Sequence, residues 1–369
     1  MMETVRAALV LSRVEGLGPR IFATLVARFG SAAGALGAGR DALGETEGVS
    51  AALAERVASG EADHGAWAER ELARAKEEGV RILAHGEEDY PALLFAIPDP
   101  PPVLWVKGDA STLAADTLAI VGSRRASDYG LEVAERFASQ IAASGVVIAS
   151  GLARGIDTRA HEGALLGGGR TVAVLGAGID VPYPPENREL AKRIALHGAL
   201  VSEFPPGTLP SPGHFPRRNR VLAGLSWGVL VVEATSHSGS LITASLARAY
   251  GREVFAIPGR IDSATSRGTN DLLKDAAVLV TDVSDIVENL RPFAALASPE
   301  SGRATKHAFA PDEETLLKSL STSPRPFDEI ARDSGLGAGV LASTLTGLAL
   351  KGYVEERPGN RFARRAATL

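Results

Sequence analysis

Between residues 115 and 292 the apolar positions fall into short runs separated by stretches of helix length. The runs are Leu118–Val121, Val146–Ala149, Val172–Leu175, Leu200–Glu203, Val229–Val232, Val254–Ile257 and Val278–Thr281. Strands covered by helices on both faces lose the polar alternation of a half-exposed sheet and become continuously apolar. Brief β-branched runs alternating with helical patterns therefore predict a parallel α/β sheet. Residues 1 to 75 are Ala-rich and helical in pattern. Within them Val14-Glu15-Gly16-Leu17-Gly18-Pro19-Arg20-Ile21 puts glycines and a proline between two apolar-periodic stretches, a tight helix–turn–helix. It reads either as a helix-hairpin-helix, whose backbone amides can touch DNA phosphate, or as a plain helical hairpin.

Residues 80 to 115 change character. Tyr90-Pro91, Pro98-Asp99-Pro100-Pro101-Pro102 and Trp105-Val106-Lys107-Gly108-Asp109 predict an extended connector with short strands, since prolines at such density forbid a helix. Pro292, Ser298-Pro299 and Ser301-Gly302 read as a linker. Beyond it, helices are expected over Glu313–Leu320, Pro326–Arg332 and Ala338–Leu350. A hairpin then runs through Tyr353–Glu356, Pro358-Gly359-Asn360 and Arg361–Ala363, which completes a winged helix. The expected domains are a helical one at 1–75, a connector packing on the core at 76–115, a Rossmann-like core at 116–292, a linker at 293–311 and a winged helix at 312–369. No fixed-period repeat is evident.

Composition narrows the classes. The 369 residues contain no cysteine, which excludes a disulfide framework, a thiolate metal site and a cysteine nucleophile. No apolar run approaches the roughly 18 residues of a spanning helix, and residues 1–18 lack the marks of a signal peptide, so a cytoplasmic protein with no membrane association is expected. Net charge is −5. Thr117 to Arg260 nevertheless holds 15 Lys and Arg against 11 Asp and Glu. This mildly basic middle is compatible with a polyanion, because binding follows the local surface rather than the total.

The candidate chemistry lies where strands are predicted to end, the ligand-binding side of open α/β sheets. Gly122-Ser123-Arg124-Arg125 joins a close-approach turn to two guanidinium forks and a helix start near Ser127. In Gly151-Leu152-Ala153-Arg154-Gly155-Ile156-Asp157, Arg154 is the functional candidate and Asp157 reads as a helix cap. Gly176-Ala177-Gly178 leads to Tyr183 and Asn187, where Asn187 is either a base or sugar contact or the cap of the helix at Arg188. Phe215-Pro216-Arg217-Arg218-Asn219-Arg220 combines an aromatic with three cations and an amide, the mixture that single-strand binding uses: charges track the backbone and a ring stacks on any base. The bland alternative puts Phe215 in the core. Ser238-Gly239-Ser240-Leu241-Ile242-Thr243 offers an amide-lined helix start. Glu233, before it, is an acid or base, a hydroxyl acceptor, or a neutraliser of an arginine. No dinucleotide fingerprint, Walker lysine, metal-ligand spacing or Ser-His-Asp set is present.

Six stretches in order between residues 122 and 259 resemble the DNA-processing protein DprA (Smf) family. They are Gly122-Ser123-Arg124, Ser150 to Asp157, Gly178 to Asn187, Phe215 to Arg220, Ser238 to Ala244, and Ala256-Ile257-Pro258-Gly259. The resemblance implies a Rossmann-like core with an N-terminal helix-hairpin-helix or SAM-like domain and a C-terminal winged helix. It implies a single-stranded-DNA pocket without catalysis or cofactor, which protects incoming DNA in natural transformation and loads the RecA recombinase. Arg124 would hold phosphate, Phe215 a base, and Arg218, Asn219 and Arg220 the backbone. Family members dimerise through a segment matching Gly268 to Leu273, here with Asn270, Leu272 and Leu273. The family usually has glycine after the acidic residue that follows, whereas this chain has Asp275-Ala276-Ala277. The expected recognition helix ends in Lys351 alone, too few polar side chains for reading a duplex. Two other classes compete. One is a Rossmann-like nucleoside-monophosphate N-glycosidase using Glu233. The other is a winged-helix transcription factor with a ligand-sensing core.

Overall fold

The computed structural model describes residues 2–290, 311–321, 324–350, 353–357 and 361–364. The expected linker lies outside these residues. The chain divides into two compact units, Met1–Ser301 and Gly302–Leu369.

The first unit opens with six helices, α1 (Met2–Ser12), α2 (Pro19–Phe29), α3 (Ala32–Leu36), α4 (Arg40–Gly44), α5 (Ala51–Ala58) and α6 (Gly60–Glu77). Where the sequence announces one hairpin, the structure has two. In the first, Gly16 takes φ 84°, the Leu17 amide donates to Val14 O at 3.1 Å, and Gly18 caps α2 with φ −73° and ψ 163°. In the second, Gly48 takes φ 81°, Val49 donates to Thr46 O at 3.0 Å, and Ser50 caps α5 with φ −73° and ψ 159°. Each turn backs onto the other's helix. A methyl on Gly16 would meet Leu53, and one on Gly48 would meet Ile21.

After α6 come β1 (Val80–Ala84), α7 (Ala92–Phe95) and β2 (Val103–Gly108). The alternation predicted from the apolar runs follows as β3 (Thr117–Val121), α8 (Asp128–Ala143), β4 (Val147–Ser150), α9 (Ile156–Leu166), β5 (Thr171–Leu175), α10 (Arg188–His197), β6 (Gly198–Ser202), α11 (His214–Leu225), β7 (Gly228–Val231), α12 (Gly239–Ala249), β8 (Glu253–Ala256), α13 (Arg267–Lys274), β9 (Val278–Leu279) and α14 (Val283–Asn289). These nine strands form one sheet in the order β1-β2-β6-β5-β4-β3-β7-β8-β9. The seven from β6 to β9 run parallel, and β2 and β1 extend the edge antiparallel. The stretch expected as a connector thus supplies two strands of the core sheet.

Successive residues on a strand face opposite ways, and both faces are covered. Leu118 and Ile120 pack under α8 and α9, with Val133, Phe137 and Ile156. Ala119 and Val121 face Val221, Leu222 and Ala244 of α11 and α12. Leu9, Phe22 and Leu25 of the helical region share a core with Trp105, Leu175 and Ile194, so that region is packed on the sheet.

In the second unit α15 (Pro311–Ser319), β10 (Arg325–Pro326), α16 (Phe327–Ser334), α17 (Ala338–Leu350), β11 (Val354–Arg357) and β12 (Arg361–Arg364) form three helices and a three-stranded sheet ordered β10-β12-β11. Pro326, expected in the first turn of its helix, is the residue before it and pairs with Arg361.

Candidate nucleic-acid interface

From β3 the chain winds outward through β4 and β5 to β6, and α11 then carries it back to β7 on the other side of β3. That reversal is the switch point at which open α/β sheets bind ligands, beyond the carboxyl ends of their strands. A cavity there is lined by Arg124, Gly151, Ala153, Arg154, Leu175, Gly176, Ala177, Tyr183, Pro184, Phe215 and Arg218. Three strand-end loops supply its floor and the first turn of α11 its wall. Its volume is about 20 Å³, room for one water.

The first two loops interlock. Ser127 caps α8 by accepting from the Gly130 amide at 3.2 Å. Gly155, at φ 76°, lies so close to the neighbouring turn that a methyl would sit 2.3 Å from Ser123 O, and the Ile156 amide donates to that oxygen at 3.2 Å. Asp157 does not cap its own helix as the sequence suggested. Its Oδ2 reaches back to accept from the Gly151 and Ala153 amides at 3.1 and 3.3 Å. Leu152, fully buried with φ 57°, occupies a backbone region costly for a branched side chain. Its carbonyl accepts from Asn187 Nδ2 at 2.9 Å, and the same nitrogen donates to Thr158 Oγ1 at 2.8 Å. Asn187 stands at the N-cap position of α10 but makes no side-chain cap bond, and its amide nitrogen is engaged inside the protein. It is a buried clamp on the strained loop.

Arg218 rises from α11 into this floor and is 5% exposed. Its Nη1 lies 4.0 Å from Asp157 Oδ2, and its Nε has no protein partner. A methyl on Gly151 would stand 1.6 Å from that Nη1, so the guanidinium occupies the space the missing side chain leaves. Burial pushes Arg218 down from its ordinary pKa, with the Arg124 charge acting the same way and Asp157 opposing. Burial pushes Asp157 up, against Arg218 and the two amides. A guanidinium starts so high that it stays cationic, which leaves a desolvated charge loosely compensated.

Phe215 is half-buried, neither core nor free. The Arg124 guanidinium carbon lies 5.0 Å from its ring centroid, and Tyr183 tilts against it at 6.2 Å. Gly176 backs the ring, where a methyl would come within 3.1 Å. Among the described residues Arg124 and Arg125 have no ion-pair partner, whereas Arg154 is paired with Glu186. The Arg125 amide donates to Ser123 Oγ at 3.1 Å.

The remaining candidates lie apart from this cavity. Arg220 is buried against Glu203 and the Asp99 carbonyl. Arg217 is half-exposed, donates to Glu203 at 3.2 Å and lies over Phe204. Asn219 Nδ2 donates to Gly239 O at 3.3 Å, tying α11 to the start of α12, where Ser240 and Thr243 are buried. Gly178 packs on the 205–208 turn, its amide donating to Thr208 O at 2.8 Å. Glu203, which anchors Arg217 and Arg220, went unrecognised in the sequence, although it ends an apolar run as Glu233 does. Both oxygens of Glu233 are occupied, accepting from the Ser127 amide at 2.8 Å and from the Ser127 and Thr265 hydroxyls at 2.6 and 3.2 Å.

Asn270 is bonded through both amide atoms to the Gly259 backbone at 3.2 and 3.1 Å. Leu272 and Leu273 are half-buried against the α11–α12 side of the core. No helix of the described residues is long and apolar enough to cross a membrane.

Comparison with known proteins agrees with this architecture. Residues 81–291 match the family model described as DNA recombination-mediator protein A, and residues 297–360 match the DprA winged helix domain. Protein Smf of Synechocystis is 32% identical over an alignment covering 97% of this chain and 98% of that protein. DNA processing protein DprA of Bacillus subtilis is 42% identical, covering 60% and 75%. The X-ray structure of DprA from Streptococcus pneumoniae superposes with a TM-score of 0.68 at 34% identity, over 77% of this chain and 98% of that one. A Helicobacter pylori structure, described for its single-stranded-DNA binding mode, gives 0.52 at 32%, over 57% and 95%. With a matching family model over more than half its length and a relative aligned nearly end to end, the chain belongs to the DprA (Smf) family of DNA recombination mediators.

Proposed function

We propose that the cavity at the carboxyl ends of β3, β4 and β5 binds single-stranded DNA, with Arg218 and Arg124 on phosphate and Phe215 stacked on a base. One observation carries the reading: a nearly buried guanidinium, 4.0 Å from its nearest carboxylate, beside an aromatic ring with a second cation over it. A phosphate supplies the charge compensation that Asp157 gives incompletely. A ring face tolerant of any base supplies affinity without sequence preference. The cavity has no room for a base as it stands, so a nucleotide reaches Phe215 by displacing Arg124. The binding mode of the H. pylori relative lends support. Gly122, Ser123, Arg125, Gly151, Arg154, Gly155 and Tyr183 shape or flank this surface. Asn187, Arg220 and Asn219 position it, Arg217 lies at its edge, and Gly178, Gly239, Ser240 and Thr243 support its neighbours.

The wider role we infer is that of the family as its resemblance implies: protecting incoming single strands, loading RecA in transformation, working in the cytoplasm and pairing as a homodimer through Asn270, Leu272 and Leu273. The protein acts by binding rather than by catalysis. Glu233, the one acid a glycosidase reading needs, is spent on holding Ser127, the residue that caps α8, and Thr265.

The test is a titration of labelled oligo-dT and the matched duplex at two salt concentrations. Tight, salt-sensitive preference for the single strand is expected. Phe215→Ala should cost about 1–3 kcal/mol of binding. Arg218→Ala should lower the salt slope by roughly 0.7 for one lost single-strand phosphate contact. Equal binding of both forms, or an unchanged slope in Arg218→Ala, overturns the reading.

A further inference from the structure

On α9, with Asp157, is a buried histidine that the site as described does not use. His161 is one turn beyond Asp157 on α9, so the two side chains share a face. Helical side chains lean toward the N-terminus, which carries the ring toward the turn where Asp157 meets Arg218. His161 is fully buried. Its Nδ1 lies 2.7 Å from Thr171 Oγ1, whose hydroxyl donates to Ile148 O at 2.6 Å. The threonine proton is thereby committed to the carbonyl, so the Thr171 oxygen accepts from His161 and the imidazole proton is on Nδ1. Nε2 is left as a lone pair.

That Nε2 is buried and has no protein partner, and Arg218 Nε is a buried N–H donor in the same condition. The two are complementary, one acceptor and one donor. The Arg218 charge is felt at His161, where it opposes protonation.

We propose that His161 is a positioning residue for Arg218, its Nε2 lone pair receiving the Arg218 Nε–H through one buried water. Asp157 then restrains one edge of the guanidinium and His161 another, and the remaining N–H groups are aimed at the cavity where a phosphate would enter. A neutral imidazole suits this task. It orients the cation without cancelling the charge that the strand must meet, which a second carboxylate would do.

The inference rests on the reading of Arg218 as a phosphate ligand, and the experiment separates the two. Oligo-dT affinity and its salt slope are measured for the full chain as wild type, His161→Leu, His161→Gln, Arg218→Ala and the Leu/Ala double variant, with melting temperatures alongside. His161→Leu is expected to bind about tenfold more weakly, the scale of a hydrogen bond to a charged group, with the slope lowered toward that of Arg218→Ala. His161→Gln places an acceptor at the reach of Nε2 and should recover most of the loss even where its melting temperature does not recover. In the Arg218→Ala background, His161→Leu should add nothing, because residues acting through one another are non-additive. Wild-type slope and affinity in His161→Leu overturn the proposal. So does a loss that persists undiminished on top of Arg218→Ala, which marks a merely structural histidine. Should Arg218→Ala itself bind as wild type, the functional reading falls and takes this proposal with it.

Discussion

Gly151 and Arg218 are sixty-seven positions apart and occupy one space. The guanidinium stands where the methyl of any other residue at 151 would be, 1.6 Å from its Nη1. Gly151→Ala therefore expels the Arg218 side chain rather than crowding it. The loop backbone is held by Asp157 and Asn187, which stay in place. The expected outcome is a folded protein whose oligo-dT affinity and salt slope fall to those of Arg218→Ala. A fluorescence titration beside a melting curve checks it, and retention of the wild-type slope would show that Arg218 does not need that space. The glycines around Arg154 were legible as a strand-end turn. That its first glycine serves a side chain arriving from another helix was not, because the contact joins residues distant in the chain.

At the scale of elements, the end of α13 holds an alanine in a left-handed conformation. Asp275 caps the helix, Ala276 follows at φ 64°, and the Ala277 amide donates to Leu272 O at 2.9 Å. This is the left-handed helix terminus that glycine serves without steric cost. Ala276→Gly should therefore raise stability by about 0.5–1 kcal/mol, with relief of the left-handed strain partly offset by the greater freedom of the unfolded chain. Thermal melting reads the change, and a lower melting temperature would show that the methyl is used in packing. The paired helical hairpins teach the converse. Gly16-Leu17-Gly18-Pro19 is a conspicuous turn, whereas Gly48-Val49-Ser50-Ala51 repeats its left-handed glycine and extended cap with one glycine and a serine cap. Their kinship lies in φ, ψ and reciprocal packing, and little of it in residue identity.

For the whole molecule, burial couples the site to stability. Burial first, and the Arg218 charge second, depress His161 from its ordinary value to about 3. The unfolded chain takes up this proton as pH falls below about 6.5, and the folded one does not until near 3. The stabilising contribution is therefore complete above pH 6.5 and is lost as pH falls, by about 1.4 kcal/mol per pH unit once the unfolded imidazole is protonated. Wild type should thus lose melting temperature between pH 6.5 and 4 more steeply than His161→Gln. Parallel curves would show that the histidine titrates in the folded state.

What could be read from residue order was the parallel sheet, the helix starts around it and the family, because buried strands and their glycine turns are local patterns. Leu118–Val121 and its fellows need only a helix on each face to be recognised. The strand ends could be named as the side of the candidate site for the same reason. Which cations face the cavity was decided by the fold alone. Arg217, Arg218, Asn219 and Arg220 are consecutive and look equivalent. A helix sends its residues around the axis at 3.6 per turn, so one guanidinium meets Glu203 in the interior, one fills the space above Gly151, and one lies over Phe204 near solvent. The joining of β1 and β2 to the far edge of the sheet was likewise tertiary, since β2 finds its partner in β6, almost a hundred residues further on.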